Sequence, residues 1–176
     1  MTTRVFIAMP SGSGLIDAKA GASLRANEKD LRDHGIEHTD LHITGNCYIA
    51  LVRSLYAYEF LFNSDCTHLF FWDDDVGVAG PQTALRRLLL QDRDIIVAPY
   101  PQKVAPGAAP TRKWPISLTD GVPDAAGVVE SDMVATGFLL IKRHVIEAMW
   151  AKYGAPDLGE DGRFDAGLAE SDRIRA

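Results

Sequence analysis

Three consecutive carboxylates, Asp73, Asp74 and Asp75, directly follow the apolar run from Leu69 to Trp72. A run of this composition is typical of a buried strand, whereas an ionised carboxylate cannot be buried unpaired without a large cost in free energy. The three acids therefore belong just past the end of the strand, where they can meet a cation or a cationic ligand. In α/β folds, ligand crevices lie at the carboxyl ends of strands.

The geometry of a strand suggests which of these acids act together. Side chains alternate along a strand, so Asp73 and Asp75 share a direction, and Asp74 points elsewhere, if the strand continues through them. Two carboxylates on one side suit a hard divalent cation, and magnesium commonly combines one or two carboxylates with substrate phosphates. The sequence thus predicts a Mn²⁺ or Mg²⁺ site at Asp73 and Asp75. The alternative is an acidic turn that caps the next helix and binds no metal.

Two basic residues could meet an anionic ligand at the same place. Arg53 has Ile49 and Tyr56 one helical turn away, and a guanidinium on so apolar a face indicates an anionic partner, either a carboxylate of the acidic cluster or a ligand phosphate. Lys103 follows the strand predicted at 94–98 and could reach a diphosphate as a point charge. The alternative for Arg53 is a side chain that reaches solvent or pairs only with protein groups. The alternative for Lys103 is a solvated loop lysine.

Strand and helix patterns alternate over the first hundred residues. The predicted elements are strands at 5–9, 37–43, 67–72 and 94–98, helices at 17–34, 46–62 and from Pro81 onward, a long loop at 101–127 with a short strand at 114–118, one or two strands at 128–141, and a helix at 142–153. Asn46 is the predicted cap of the second helix. This order indicates an α/β fold with a mostly parallel sheet and helices on both faces.

Composition narrows the class of protein. The chain has 176 residues, of which 47% are hydrophobic and 24% charged, as expected for one globular domain. The net charge of -6 argues against a general affinity for nucleic acid, and no apolar run is long enough for a membrane span. Cys47 and Cys66 lack the spacing of metal ligands. They are interpreted as reduced thiols, and with no signal peptide in view a cytoplasmic location is expected.

Three segments, in this order, resemble nucleotide-sugar glycosyltransferases of the GT-A fold, and specifically the family-2-like enzymes of bacteria and phages. The segments are THLFFWDDDV from Thr67, DIIVAPYPQK from Asp94 and ATGFLLIKR from Ala135. The resemblance covers roughly residues 4–153. It implies a Rossmann-like GT-A nucleotide-sugar-binding domain at 1–154, followed by a polar, loosely ordered tail at 155–176.

The resemblance assigns roles to particular residues. It places an Asp-x-Asp motif on Asp73 and Asp75, with Asp74 at the variable middle position. A cation held by Asp75, with or without Asp73, would bridge the phosphates of a UDP- or GDP-sugar, while Asp73 would contact the ribose or the sugar. Arg53 corresponds to the first residue of an Arg-Asn pair, and Ser54 departs from that pattern. The implied donor-binding residues are Pro10, Arg53, Asp73, Asp74 and Lys103.

The acceptor side of such an enzyme has a weaker match. Family members continue with a Glu-Asp motif and an acceptor-binding half, whereas this chain has Ala169-Glu-Ser-Asp172. The candidates for the carboxylate that deprotonates an unknown acceptor are Asp132, Glu170 and Asp172. A non-catalytic nucleotide-sugar binding module and a homo-oligomer stay open. A phosphotransferase of the haloacid dehalogenase type is less favoured, because its Asp-x-Asp motif usually opens the chain.

Overall fold

The apolar run before the aspartates forms the central strand of a sheet. In the computed structural model, which describes residues 2–45, 48–79, 83–101, 117–118 and 121–153, this strand is buried from Leu69 to Trp72. The elements are β1 (Arg4–Ser11), α1 (Ala18–Asp33), β2 (Glu37–Thr44), α2 (Ile49–Phe62), β3 (His68–Trp72), α3 (Ala84–Leu90), β4 (Ile95–Val97), β5 (Ser117–Leu118), β6 (Ser131–Met133), β7 (Phe138–Lys142) and α4 (Arg143–Tyr153).

Five of these strands form one sheet in the order β2-β1-β3-β7-β4. β1 pairs in parallel with both β2 and β3, whereas β7 lies antiparallel between β3 and β4. β1, β2, β3 and β4 therefore run in one direction, and the prediction of a mostly parallel sheet is confirmed. The short β5 and β6 pair separately in an antiparallel sheet of two strands.

Helices cover both faces of the sheet, as predicted. Along β3, Phe70 and Trp72 face a core that includes Leu24 of α1 and Leu85 of α3. Leu69 and Phe71 face the opposite core, to which α2 and α4 contribute Val52, Tyr56, Phe60 and Ile146. The alternation along the strand thus supplies apolar side chains to two helical layers at once, which is why the strand reads as a continuous apolar run.

Several predicted element ends differ from those observed. α2 begins at Ile49, and the position before it is Tyr48, whose side chain makes no capping hydrogen bond. α2 thus begins later than the predicted start at 46. Asn46 itself, Pro81, Trp114 and the tail at 155–176 lie outside the described residues.

Polar side chains inside α1 fix the segment that follows the aspartates. The Ser23 hydroxyl accepts the N–H of Val78 at 2.9 Å, and the Asn27 amide oxygen accepts the N–H of Leu85 at 3.0 Å. Asn27 also donates to the Ser23 carbonyl at 2.9 Å. Both polar residues are buried, so each bond satisfies a group that would be costly to leave unpaired. Val78 and the start of α3 are therefore held against α1.

Cys66 is a buried free thiol, and burial raises its pKa, so it has the character of an inert core residue. None of the helices in the described ranges combines the length and apolar content needed to cross a bilayer.

Candidate functional site

The ends of three strands bring the predicted site residues to one edge of the sheet. Asp73 directly follows β3, and its N–H donates to the carbonyl of Gly137, which directly precedes the antiparallel β7, at 2.9 Å. Beyond β4, the N–H of Ala98 donates to the Phe138 carbonyl at 3.2 Å, and Tyr100 comes two residues later. Because β7 runs antiparallel, its beginning meets the carboxyl ends of β3 and β4 here.

Arg53 and Asp73 form an ion pair at this edge. Arg53 Nη2 donates to Asp73 Oδ1 at 2.8 Å, and the side chains are 22% and 25% exposed. Of the two partners that the sequence left open for Arg53, the structure gives the carboxylate of the acidic cluster. Nε of Arg53 is buried and has no hydrogen-bond partner among the described residues. The guanidinium therefore lies in a partly desolvated position, where its interaction with an anionic group is stronger than in bulk water.

The electrostatic environment of Asp73 is finely balanced. Burial raises the pKa of this carboxyl group, the Arg53 guanidinium opposes that rise, and the neighbouring carboxylates of Asp75 and Asp74 raise it further. Perturbation of this kind is typical of functional sites, although structural ion pairs produce it as well. The net direction is upward, so desolvation and the neighbouring carboxylates together outweigh the effect of Arg53 on the pKa of Asp73.

Asp74 and Asp75 lie in a turn rather than in the strand. β3 ends at Trp72, and the Asp73 carbonyl accepts the N–H of Val76 at 3.1 Å. The alternation that would have pointed Asp73 and Asp75 in one direction therefore does not extend to them. The Asp74 carbonyl accepts the N–H of Asp17 at 2.9 Å, which ties the turn to the start of α1.

Asp75 faces an open groove beside α1. The groove has a volume of about 730 Å³, and its lining includes Asp17, Lys19 and Asp75. Asp17 is the N-cap of α1, where its carboxylate accepts the N–H groups of Lys19 and Ala20 at 2.8 and 3.3 Å. Asp75 is exposed, in contrast to the half-buried Asp73. The acidic triplet thus has one member paired with α2 and another at a groove beside α1.

The carboxylates of the acidic triplet can supply only part of the ligand set of a divalent cation. No group of three or more acidic, histidine or cysteine side chains in the described part of the chain is arranged as a metal cluster. Asp73 Oδ1 is engaged by Arg53, and Asp75 lies at the surface in the lining of the groove beside α1. A donor set of one or two carboxylates suits magnesium or manganese whose other ligands are phosphate oxygens and water.

The remaining predicted site residues have different positions. Pro10 is buried near the end of β1, where it pairs with Ile43 of β2. Asp132 is exposed on β6, in the small second sheet. Lys103, Glu170 and Asp172 lie outside the described residues.

Tyr56 is a positioning residue to which the sequence analysis gave no role. Its hydroxyl donates to the Met9 carbonyl and accepts the N–H of Ile43, both at 2.7 Å. Burial raises its pKa to about 12, so the hydroxyl stays protonated at any physiological pH. These bonds fix α2 to the ends of β1 and β2, and with it the position of Arg53, one turn earlier on the helix.

Tyr100 and Gly137 complete the surroundings of Asp73. The Tyr100 hydroxyl accepts the N–H of Gly137 at 3.1 Å. A Cβ atom at position 137 would lie 2.4 Å from Tyr100 Oη and 2.5 Å from Asp73 Oδ2, distances that no side chain tolerates. Burial raises the pKa of Tyr100, and the Asp73 carboxylate adds to the rise. Both residues lie in segments of the sequence that carried the resemblance, but no pattern within the sequence indicated that they meet.

Replacing Gly137 by alanine is therefore expected to destabilise the fold. Tyr100 and Asp73 would have to move away from the new methyl group, and overpacking of this kind typically costs about 1–3 kcal/mol. Urea unfolding of Gly137→Ala measures the loss. The matched control is Gly21→Ala inside α1, where the nearest atoms would be 3.5 Å away and alanine favours the helix by about 1 kcal/mol. Equal stability of the two variants would contradict the tight packing at Gly137.

Comparisons with known proteins bear on the fold. No protein-family model matches the chain, and no curated protein matches it either. Among solved structures it is similar to A197 from STIV, with a TM-score of 0.52 and 20% identity over 82% of this chain and 68% of that one. This similarity supports the α/β fold and nothing finer.

A more distant match is 4-diphosphocytidyl-2C-methyl-D-erythritol synthase from Anaerococcus prevotii DSM 20548. Its TM-score is 0.40 and its identity 12%, over 85% of this chain and 76% of that one. At this distance the match supports no inference about the site.

Proposed function

We propose that this chain binds a nucleoside-diphosphate sugar and acts as a metal-dependent glycosyltransferase, or as the donor-binding half of one. The observation that carries the proposal is the Arg53–Asp73 pair at the carboxyl edge of the sheet, next to Asp74 and the exposed Asp75. A guanidinium and several carboxylates at one edge of the sheet match a ligand that has both phosphates and hydroxyl groups. The ordered resemblance of three segments to GT-A glycosyltransferases supports the same proposal.

The proposal gives each residue a task. Arg53 would bind a phosphate oxygen of the donor, and Asp73 would accept a hydrogen bond from a ribose or sugar hydroxyl. Asp75 would hold Mn²⁺ or Mg²⁺, whose other ligands would be phosphate oxygens and water. When bound, such a cation supplies neutralisation of the charge on the departing nucleoside diphosphate. Pro10, Asp74 and Lys103 would be further donor contacts.

The acceptor step needs a carboxylate that removes the proton of the attacking hydroxyl. Asp132, Glu170 and Asp172 are proposed for this task. Asp132 is exposed on β6, where an acceptor could approach it.

Titration calorimetry with UDP- and GDP-sugars, each with and without manganese, tests the proposal. Binding that manganese strengthens is the expected result, and release of the nucleoside diphosphate in the presence of an acceptor would establish transfer. Binding without transfer or hydrolysis over a panel of acceptors would identify a nucleotide-sugar binding module instead. Absence of binding to every donor, with and without metal, would refute both functions.

Arg53→Ala is expected to weaken donor binding by about tenfold or more even without metal, since charge-assisted hydrogen bonds contribute about 1.5–3 kcal/mol. Calorimetry with metal removed by a chelator isolates this contribution. The matched control is Arg86→Ala, because Arg86 forms a similarly half-buried ion pair with Asp30 at 2.8 Å between α3 and α1. Both variants should lose some stability, but only Arg53→Ala should lose affinity. Unchanged metal-free affinity would remove Arg53 from the site.

A further inference from the structure

Two oxygen atoms converge beside Gly137 with complementary hydrogen-bonding properties. Tyr100 Oη and Asp73 Oδ2 lie 2.4 and 2.5 Å from the same point, the position of the absent Cβ, so they are at most 4.9 Å apart. The Tyr100 oxygen already accepts the N–H of Gly137. A phenol is protonated at neutral pH, and the described residues supply no acceptor for that proton. Tyr100 is therefore left as a donor, and Asp73 Oδ2 as an acceptor.

We propose that Tyr100 is a ligand-binding residue. Its phenol donates a hydrogen bond to a hydroxyl group of the nucleotide-sugar, and that hydroxyl group in turn donates a hydrogen bond to Asp73 Oδ2. A hydroxyl both accepts and donates, so one such group satisfies both protein atoms. Two O–H···O bonds of about 2.7 Å can span up to roughly 5.4 Å, which exceeds the separation of the two oxygens. A phosphate oxygen, which only accepts, would be repelled by the carboxylate of Asp73.

This arrangement also explains why position 137 lacks a side chain. A Cβ atom there would lie within 2.5 Å of both oxygens and would displace them. Because a lone pair of the Tyr100 oxygen accepts the Gly137 N–H, the phenol proton is directed away from that N–H. The Arg53 guanidinium holds the other carboxylate oxygen of Asp73 at 2.8 Å. The pair is thus oriented before any ligand arrives, which reduces the ordering cost of binding.

The inference rests on the proposed function, and the hydroxyl could belong to the ribose or to the transferred sugar. Calorimetry with Tyr100→Phe distinguishes the two. The ligands are UDP and GDP, their 2′-deoxy and 3′-deoxy forms, and UDP-glucose with its 2-deoxyglucose analogue. We expect the variant to bind the fully hydroxylated ligand about fivefold more weakly, as the loss of one neutral hydrogen bond implies. The penalty should vanish with the analogue that lacks the contacted hydroxyl.

The pattern across ligands separates a binding role from a structural one. A penalty with UDP that disappears in one deoxyribose form assigns the hydroxyl to the ribose, and a penalty seen only with the UDP-sugar assigns it to the sugar. An equal penalty with every ligand and analogue, or none at all, would overturn the inference while leaving the proposed function in place. Failure of the wild-type chain to bind any of these ligands would overturn both.

Two controls accompany this experiment. Tyr153→Phe makes the same chemical change on an α4 residue that is 62% exposed, and it should leave every affinity unchanged. Thermal unfolding of Tyr100→Phe should show a small loss at most, because the ring keeps its packing against the core and only the Gly137 N–H loses its partner.

Discussion

Asp75→Asn is expected to abolish the gain in affinity for UDP- or GDP-sugars that manganese provides. The metal-dependent affinity should fall by about 100-fold or more. The amide keeps the shape of the side chain but not the negative charge that a hard cation requires. Changes to residues that only orient a metal ligand typically cost about 10–100-fold in metal affinity, so replacing a direct ligand should cost at least as much. Metal-free affinity should hardly change, because Arg53 and Asp73 stay in place.

The fold should tolerate this change. Asp75 is exposed, and its charge raises the pKa of Asp73 through repulsion between carboxylates, so its removal relieves an unfavourable interaction. The matched control is Asp33→Asn near the end of α1, where an exposed carboxylate pairs with Lys29 at 2.5 Å. Calorimetry with and without manganese compares the two variants. A manganese effect that persists in Asp75→Asn, or disappears in Asp33→Asn, would contradict the assignment.

The general layout of the site could be predicted from the sequence because it follows from local rules. The run from Leu69 to Trp72 supplies two apolar faces, and acids at the end of such a strand must lie at the edge of the sheet. Arg53 on the apolar face of a helix likewise required an anionic partner, and Asp73 provides it. In each case the cost of burying a charge restricts the position of the residue.

The finer geometry depends on contacts between distant segments. Tyr100 meets Gly137 only because β7 lies antiparallel between β3 and β4, and no periodicity in the sequence specifies that strand order. The directions of Asp73 and Asp75 also could not be predicted, because they depend on where β3 ends and the turn begins. The bond that the Asp17 N–H donates to the Asp74 carbonyl is another contact between segments that are far apart in the sequence.

Arg143 is the residue whose structural importance was least evident from the sequence. It opens α4, and its guanidinium donates to the carbonyls of Phe60 and Cys66, each at 2.7 Å. It also donates to Ser64 O at 3.0 Å and Leu61 O at 3.3 Å. These carbonyls belong to the last turn of α2 and the segment after it, where a helix leaves its acceptors unsatisfied. The guanidinium also lies 4.3 Å from the centre of the Phe60 ring, a favourable cation–π geometry.

Arg143→Met is therefore expected to lower the free energy of unfolding by about 3 kcal/mol. A hydrogen bond from a charged group is worth about 1.5–3 kcal/mol. The total is smaller than the sum of the bonds, because their contributions are not additive and the Arg143 side chain is partly solvated. Methionine keeps the length and apolar stem of arginine, so the lost interactions are the polar ones. Urea unfolding measures the change, and the slope of the transition should stay the same. Arg143→Lys should recover less than half of the loss, because an ammonium lacks the planar arrangement of five donors.

Arg93→Met is the matched control, because Arg93 forms an exposed ion pair with Asp124 and such pairs contribute about 1 kcal/mol or less. A loss in Arg143→Met no larger than in Arg93→Met would show that the bonds to the end of α2 contribute little.

The expected difference of about 2 kcal/mol has a consequence for the site as well. Arg143 anchors the end of the helix that carries Arg53, so folded Arg143→Met should bind donor more weakly than folded Arg93→Met, through the position of Arg53 rather than through any contact of its own.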